Sequence, residues 1–119
     1  MPDHPDNIFS LLPLREPTFF ILLSLAEGEK HGYAIIKDVE ELSAGSVTLS
    51  TGTLYEALAR LLDQSLIERI EVEEVNHPGK PRKAYRLTHK GQHVIEAETA
   101  RLHNLLAAAR RRLGLKGSG

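Results

Sequence analysis

The sequence predicts a mainly α-helical chain with one small β-hairpin, and three observations carry that prediction. Apolar residues recur at helical spacing in three separate segments, and a fourth, residues 18–27, is apolar nearly all round. One stretch, residues 66–75, switches to a period of two. Clusters of Gly, Pro, Ser and Asn punctuate the chain between these segments. The implied order is helix, helix, helix, hairpin, long helix.

Residues 1–14 hold Pro and Asp without periodicity and read as a flexible N-terminal arm. Pro17 suits a first helical turn. The helix it opens, residues 18–27, carries Phe19, Phe20, Ile21, Leu22, Leu23 and Leu25, so it is expected to be buried on more than one side. A second helix, residues 32–42, shows Tyr33, Ile36, Val39 and Leu42 at three-residue spacing, and Ala44-Gly45-Ser46 breaks it. Tyr33, like Tyr85 further on, reads as a core residue with its hydroxyl at the edge. Ser50 is a good cap for a third helix, residues 51–64, with Leu49 and Leu54 placed as a hydrophobic staple. Its inward face is Leu54, Leu58, Leu61 and Leu62. Ile70 and Val72 then alternate with Glu71 and Glu73, the pattern of a half-buried strand. Asn76-His77-Pro78-Gly79 is turn chemistry, and residues 83–87 form the return strand. Thr88 can cap a last helix, residues 89–113, and residues 114–119 read as a flexible tail.

The 119 residues suffice for one modest core. Cysteine is absent, which excludes disulfides and thiolate metal sites and fits a cytoplasmic protein. No apolar run approaches the roughly 20 residues that span a bilayer, and residues 1–7 lack the pattern of a secretory signal, so no membrane partner is expected. There is no Gly-rich phosphate loop and no nucleophile motif, so neither an enzyme nor a bound cofactor is expected. His89 and His93 are four apart and could be half of a metal site, but no carboxylate cluster completes it; a histidine-based metal sensor stands as an alternative and no metal is assigned. The net charge is only -1, yet its distribution is uneven. Residues 76–93 contain Lys80, Arg82, Lys83, Arg86 and Lys90 and no acid, while the preceding strand carries Glu68, Glu71, Glu73 and Glu74. Local potential, not the total, guides a polyanion to its site.

Three short helices followed by a two-stranded wing are the parts of a winged helix-turn-helix. The fold class is therefore a winged helix-turn-helix, residues 15–88, followed by a C-terminal dimerisation helix, residues 89–113. In this motif the second helix of the pair enters the major groove with its N-terminal residues nearest the bases. Here that end reads Ser50, Thr51, Gly52, Thr53 and Tyr55. The hydroxyls can bond to phosphates or base edges, and Gly52 lets the backbone approach the duplex. On the wing, His77, Lys80, Arg82 and Lys83 are placed to neutralise phosphates or enter a minor groove. The expected partner is double-stranded DNA. A winged-helix module that binds protein instead is the other alternative, and the basic wing argues against it. On the last helix, Ile95, Leu102, Leu105, Leu106, Ala109 and Leu113 recur about every 3.5 residues, as on a helix packed along a partner. A homodimer follows, matched to a palindromic operator. Phe19 and Phe20 join that interface, where a small hydrophobic effector could bind.

Several motifs together carry a resemblance. Leu49-Ser50-Thr51-Gly52-Thr53-Leu54-Tyr55 followed by Ala57-Leu58-Ala59-Arg60-Leu61 resembles the recognition-helix signature of PadR-type transcriptional regulators. His31-Gly32-Tyr33 resembles the start of that family's second helix. Arg82-Lys83-Ala84-Tyr85-Arg86-Leu87-Thr88-His89-Lys90-Gly91 resembles its wing strand and the turn into the last helix. The single short C-terminal helix is similar to that of the compact subfamily, in which it mediates dimerisation. The resemblance implies a homodimeric repressor released by a signal, with Tyr55 near DNA and Lys80, Arg82 and Lys83 on the wing. One departure is Asp63-Gln64-Ser65-Leu66-Ile67, where the family commonly has a glycine before the Leu-Ile pair, so Ser65 must make the helix-ending turn.

Overall fold

The computed structural model describes residues 7–74 and 77–115, without the side chains of residues 73, 74, 77, 78, 80 and 81. The elements follow the expected order: a short 3-10 turn (Ile8–Leu11), α1 (Glu16–Ala26), α2 (Gly32–Leu42), α3 (Thr51–Asp63), β1 (Ile67–Glu74), β2 (His77–Leu87) and α4 (His89–Leu113). The core is one cluster to which every helix contributes, with Ile21, Leu22, Ile35, Leu54, Leu58, Leu61, Leu66 and Val94 almost wholly buried. Helix α1 lies in the middle and packs against α2, α4 and β2, as its nearly uniform apolar surface requires.

Helix α2 corrects one reading. Its inward residues are Gly32, Ile35 and Val39, while Tyr33 is 66% exposed and Leu42 43% exposed. A strict three-residue spacing falls back about 60° per step around an α-helix, so Tyr33 and Leu42 end on opposite sides. Tyr33 is thus an outward residue and Tyr85, 5% exposed, the core one.

The turn between α2 and α3 is held by Ser43. Its hydroxyl accepts from the Val47 amide at 3.0 Å, and the following Ala44 and Gly45 both have left-handed backbones, with φ of 52° and 81°. Leu49 then enters the core just before Ser50, whose hydroxyl accepts from the Thr53 amide at 3.1 Å.

The hairpin is longer than expected. The turn residues His77, Pro78 and Gly79, and Lys80 to Arg82 before the expected return strand, belong to β2, which pairs antiparallel with β1 from Ile67↔Leu87 to Glu73↔Pro81 and, after an irregularity, at Glu74↔His77. Pro78 and Pro81 are tolerated because each strand of a two-stranded ribbon keeps an unpaired edge. Of β1, Ile67 is buried but Val72 is 39% exposed, because the outer half of the ribbon stands clear of the core. Lys30, between α1 and α2, pairs with the inner end of β2: its amide donates to the Tyr85 carbonyl at 3.0 Å and the Tyr85 amide donates back at 2.9 Å.

Helix α4 starts as part of the same core. A Cβ on Gly91 would lie 2.0 Å from the Leu66 carbonyl oxygen, so only glycine lets this turn of α4 rest on the turn between α3 and β1. Thr88 caps α4 and ties it to the same place: its hydroxyl accepts from the Gly91 amide at 3.0 Å and donates to the Ser65 carbonyl at 2.7 Å. Ser65 itself has φ 61°, the left-handed conformation the sequence demanded of it. The buried residues of α4 are Gly91, Val94, Ile95 and Glu98, all in its first half.

Two further corrections follow. Ile95 is 3% exposed within its own chain and belongs to the core, not to an interface. Part of the N-terminal arm is tied down: Ile8, Leu11, Leu12 and Leu14 pack on the core, and the Leu14 amide donates to Glu98 Oε2 at 2.8 Å. Residues 1–6 of that arm and 116–119 of the tail lie outside the described residues.

Candidate nucleic-acid interface

The N-terminal half of α3 is presented outward by its own amphipathicity. Leu54, Ala57, Leu58 and Leu61 anchor one face, and Ser50, Thr51, Gly52, Thr53, Tyr55 and Glu56 are all exposed. A Cβ built on Gly52 would meet nothing within 4 Å, so the surface at this point is open backbone. The hydroxyls are not equivalent. Ser50 is engaged in the cap, accepting from the Thr53 amide and donating to Thr53 Oγ1 at 2.9 Å. That leaves Thr51 and the Thr53 proton as the groups able to reach a ligand.

Tyr55, 48% exposed, does not simply project into solvent. A Cβ on Gly32 would lie 2.7 Å from its hydroxyl oxygen and 3.2 Å from its Cζ. The phenol therefore lies across the first turn of α2, in space that exists because residue 32 has no side chain. The neighbouring His31 caps α2 by accepting from the Ala34 amide through Nδ1 at 3.3 Å. From the other side comes Tyr85 of β2. Burial, and then the neighbouring Tyr55 phenol, raise the Tyr85 hydroxyl above its ordinary pKa, while Arg69 pulls the other way. The starts of α2 and α3 and the inner end of the wing thus meet around Tyr55.

Lys30 fixes this meeting point. Besides its backbone pairing with Tyr85, its ammonium donates to the Ser24 carbonyl at the end of α1 and lies 3.2 Å from Glu27 and 3.7 Å from Asp38 of α2. Sequence reasoning passed over Lys30, because a single lysine between two helices carries no pattern. Gly32 was legible only as part of His31-Gly32-Tyr33. Tyr33, read as core, instead stands outside with the Lys37 ammonium 5.8 Å from its ring centre, a cation–π pair on the outer side of α2.

On the wing, Arg82 and Lys83 are exposed; the side chains of His77 and Lys80 lie outside the described residues. The register explains how the acidic and basic strands coexist. Glu68 faces Arg86 and Glu71 faces Lys83, and Arg86 Nε donates to Glu68 at 2.5 Å. Charge on the inner part of β2 is thus partly balanced within the ribbon.

The residues read as a dimer interface divide. Leu102, Leu105, Leu106, Ala109 and Leu113 are exposed on the second half of α4. Phe19 and Phe20 are half-buried, their rings edge to face at 5.6 Å and packed on the core. An open apolar groove does run between α1 and α4, but Leu23, Ala26, Ile95, Ala100 and His103 are among its lining residues, not Phe19 or Phe20. The sequence reading had also passed over Glu98. It is 1% exposed and holds both the Leu14 amide and Arg101, whose Nη2 donates at 3.0 Å. The Arg101 bonds keep its carboxyl below the ordinary carboxylate range against the opposing effect of burial. Among the described residues no group of three or more His, Cys, Asp or Glu is arranged to hold a metal ion, and no helix is long and apolar enough to cross a membrane.

Comparison with known proteins identifies the family and the fold. A transcriptional regulator of Escherichia coli (strain K12), YqjI, is 40% identical over 76 residues, which are 64% of this chain and 34% of that protein. The chain thus matches only about a third or less of the length of the curated relatives. A PadR family transcription regulator of Clostridium difficile superposes with a TM-score of 0.69 at 28% identity, covering 83% of this chain and 99% of that one. PadR of Bacillus subtilis, solved in complex with operator DNA, shares the fold with a TM-score of 0.60 at 24% identity, covering 70% of this chain and 46% of that one. The model of the transcriptional regulator PadR-like family matches residues 21–97, well over half of the sequence, and the chain belongs to that family of transcriptional regulators.

Proposed function

We propose that this chain binds DNA sequence-specifically, as a homodimeric repressor on a palindromic operator. The observation that carries the proposal is the exposed start of α3, with Tyr55 laid over Gly32 and the basic wing strand anchored beside it. Thr51, Gly52, Thr53 and Tyr55 enter the major groove, and Ser50 sets the helix end toward it. His77, Lys80, Arg82 and Lys83 bind the flanking phosphates. PadR of Bacillus subtilis, which shares the fold, was solved in complex with operator DNA, and this supports DNA as the partner.

Dimerisation belongs to the second half of α4, where Leu102, Leu105, Leu106, Ala109 and Leu113 lack a core of their own. Phe19 and Phe20 of α1 are assigned to the same interface. The release signal is a small hydrophobic molecule that occupies the apolar groove between α1 and α4.

A gel-shift titration against the DNA upstream of the coding region, with an unrelated duplex as competitor, tests the reading. Specific binding that survives the competitor and weakens with salt is expected. Binding that the unrelated duplex removes completely, at that site and at every site recovered from a genomic fragment library, would overturn it.

A further inference from the structure

The helical phase of α3 singles out a side chain that the reading above leaves without a role. At 100° per residue, Leu54, Ala57, Leu58 and Leu61 occupy the inward direction. The opposite direction is occupied by Gly52, Glu56, Ala59 and Asp63, all of them exposed. Gly52 and Ala59 are short, and Asp63 is the last residue of the helix, at the end away from the bases. Glu56 is therefore the one long side chain on the outermost line of the groove-entering half. Tyr55 and Thr51 lie to one flank of it, Thr53 and Arg60 to the other. Among the described residues Glu56 makes no hydrogen bond or ion pair.

A carboxylate in this position has a narrow choice of partner. It is repelled by phosphates. It is also repelled by the O6 and N7 acceptors of guanine and by the O4 acceptor of thymine. Only the exocyclic amines donate in the major groove, and adenine sets its N6 amine beside the N7 lone pair. Cytosine presents its N4 amine beside a C5–H, with no acceptor on its own major-groove edge; the nearest acceptor is O6 of the paired guanine, on the far side of the amine. We infer that Glu56 is a specificity-determining residue that accepts a hydrogen bond from N4 of one cytosine in each half-site and excludes guanine and thymine there. This rests on the DNA-binding reading of α3. The same charge weakens binding to every other sequence, so its contribution is to discrimination and not to bulk affinity.

The test is selection of bound duplexes from a random-sequence library by the wild-type chain, Glu56→Gln and Glu56→Ala. Glu56 is exposed, and unchanged far-UV circular dichroism and melting temperature establish that the variants are folded. The wild-type motif is expected to carry cytosine at one position of each half-site. With Glu56→Gln that position turns to adenine, whose N6 and N7 suit an amide. With Glu56→Ala it loses its preference while the other positions persist. In a direct titration, the preference for the cytosine duplex over its guanine counterpart, about tenfold or more in the wild type, falls to about one in Glu56→Ala. A wild-type motif retained unchanged by both folded variants overturns the role of Glu56 alone. A wild-type chain that enriches no sequence overturns the DNA-binding reading itself.

Discussion

Two residues in unusual settings decide how well the reading end is built. Gly32 is required by a close approach, since any side chain there meets the Tyr55 phenol. That obstacle is the far end of a flexible side chain, so Gly32→Ala should leave stability within about 1 kcal/mol of wild type. It should nonetheless weaken operator binding about as much as Tyr55→Ala does, because the ring is displaced. Thermal melting beside a binding titration separates the two effects, and normal binding by Gly32→Ala would contradict the positioning role. Ser65 is a non-glycine residue at φ 61°, in the turn that joins α3 to β1. Its Ser65→Gly variant should be more stable by about 1 kcal/mol, as the left-handed strain is relieved. Chemical denaturation measures it. Ser65 was legible in advance as a departure from a family pattern. The contact of Gly32 was not, because a missing Cβ leaves no trace in periodicity.

Elements were readable where pattern and cap agreed. Thr88 and Ser50 made the starts of α4 and α3 plain, and Gly114 marked the end of α4. Helix α2 had a boundary but not a face, since its apolar residues fit two registers and tertiary packing chose Ile35 and Val39. The extent of β2 was hidden by Pro78 and Gly79, which signal a turn but are tolerated on a free edge. The attachment of the N-terminal segment to α4 was hidden altogether, because it depends on Glu98, an acid among others on a polar helix. That carboxyl has a lowered pKa in the folded chain. Its stabilising contribution is present above the ordinary glutamate pKa and lost as the pH falls through the lowered value. Glu98→Gln should therefore cost about 1–2 kcal/mol at neutral pH and flatten the acid limb of the stability profile. Equilibrium denaturation across the acid range checks both, and an acid limb unchanged by the substitution would place the titrating group elsewhere.

At the scale of the whole molecule, α4 joins two functions. Its first half closes the core through Val94 and Ile95, and its second half leaves an apolar stripe exposed, the surface proposed to pair with a second copy. Sequence periodicity ran the stripe through both halves, so it assigned Ile95 to the interface; only the packing of α1 and β2 against the start of α4 separates them. Sedimentation should give a dimer. Replacing Leu105 and Leu106 together by Glu should raise the dissociation constant at least about a hundredfold, since each buried leucine contributes about 1.5–3 kcal/mol. Folding of the helix-turn-helix should persist in that variant. Two copies are also what a palindromic operator requires, so its operator affinity should fall with the loss of the dimer.

The measurement that bears most directly on the reading end is a fluorescence-anisotropy titration of an operator duplex with the wild-type chain and Tyr55→Ala, at two salt concentrations. The structure predicts tight, salt-dependent binding by the wild type. It predicts a loss of about tenfold or more in the folded, still dimeric variant, with the salt dependence of the wing contacts retained. Equal affinities for the two proteins would contradict the assignment of α3 as the helix that reads DNA.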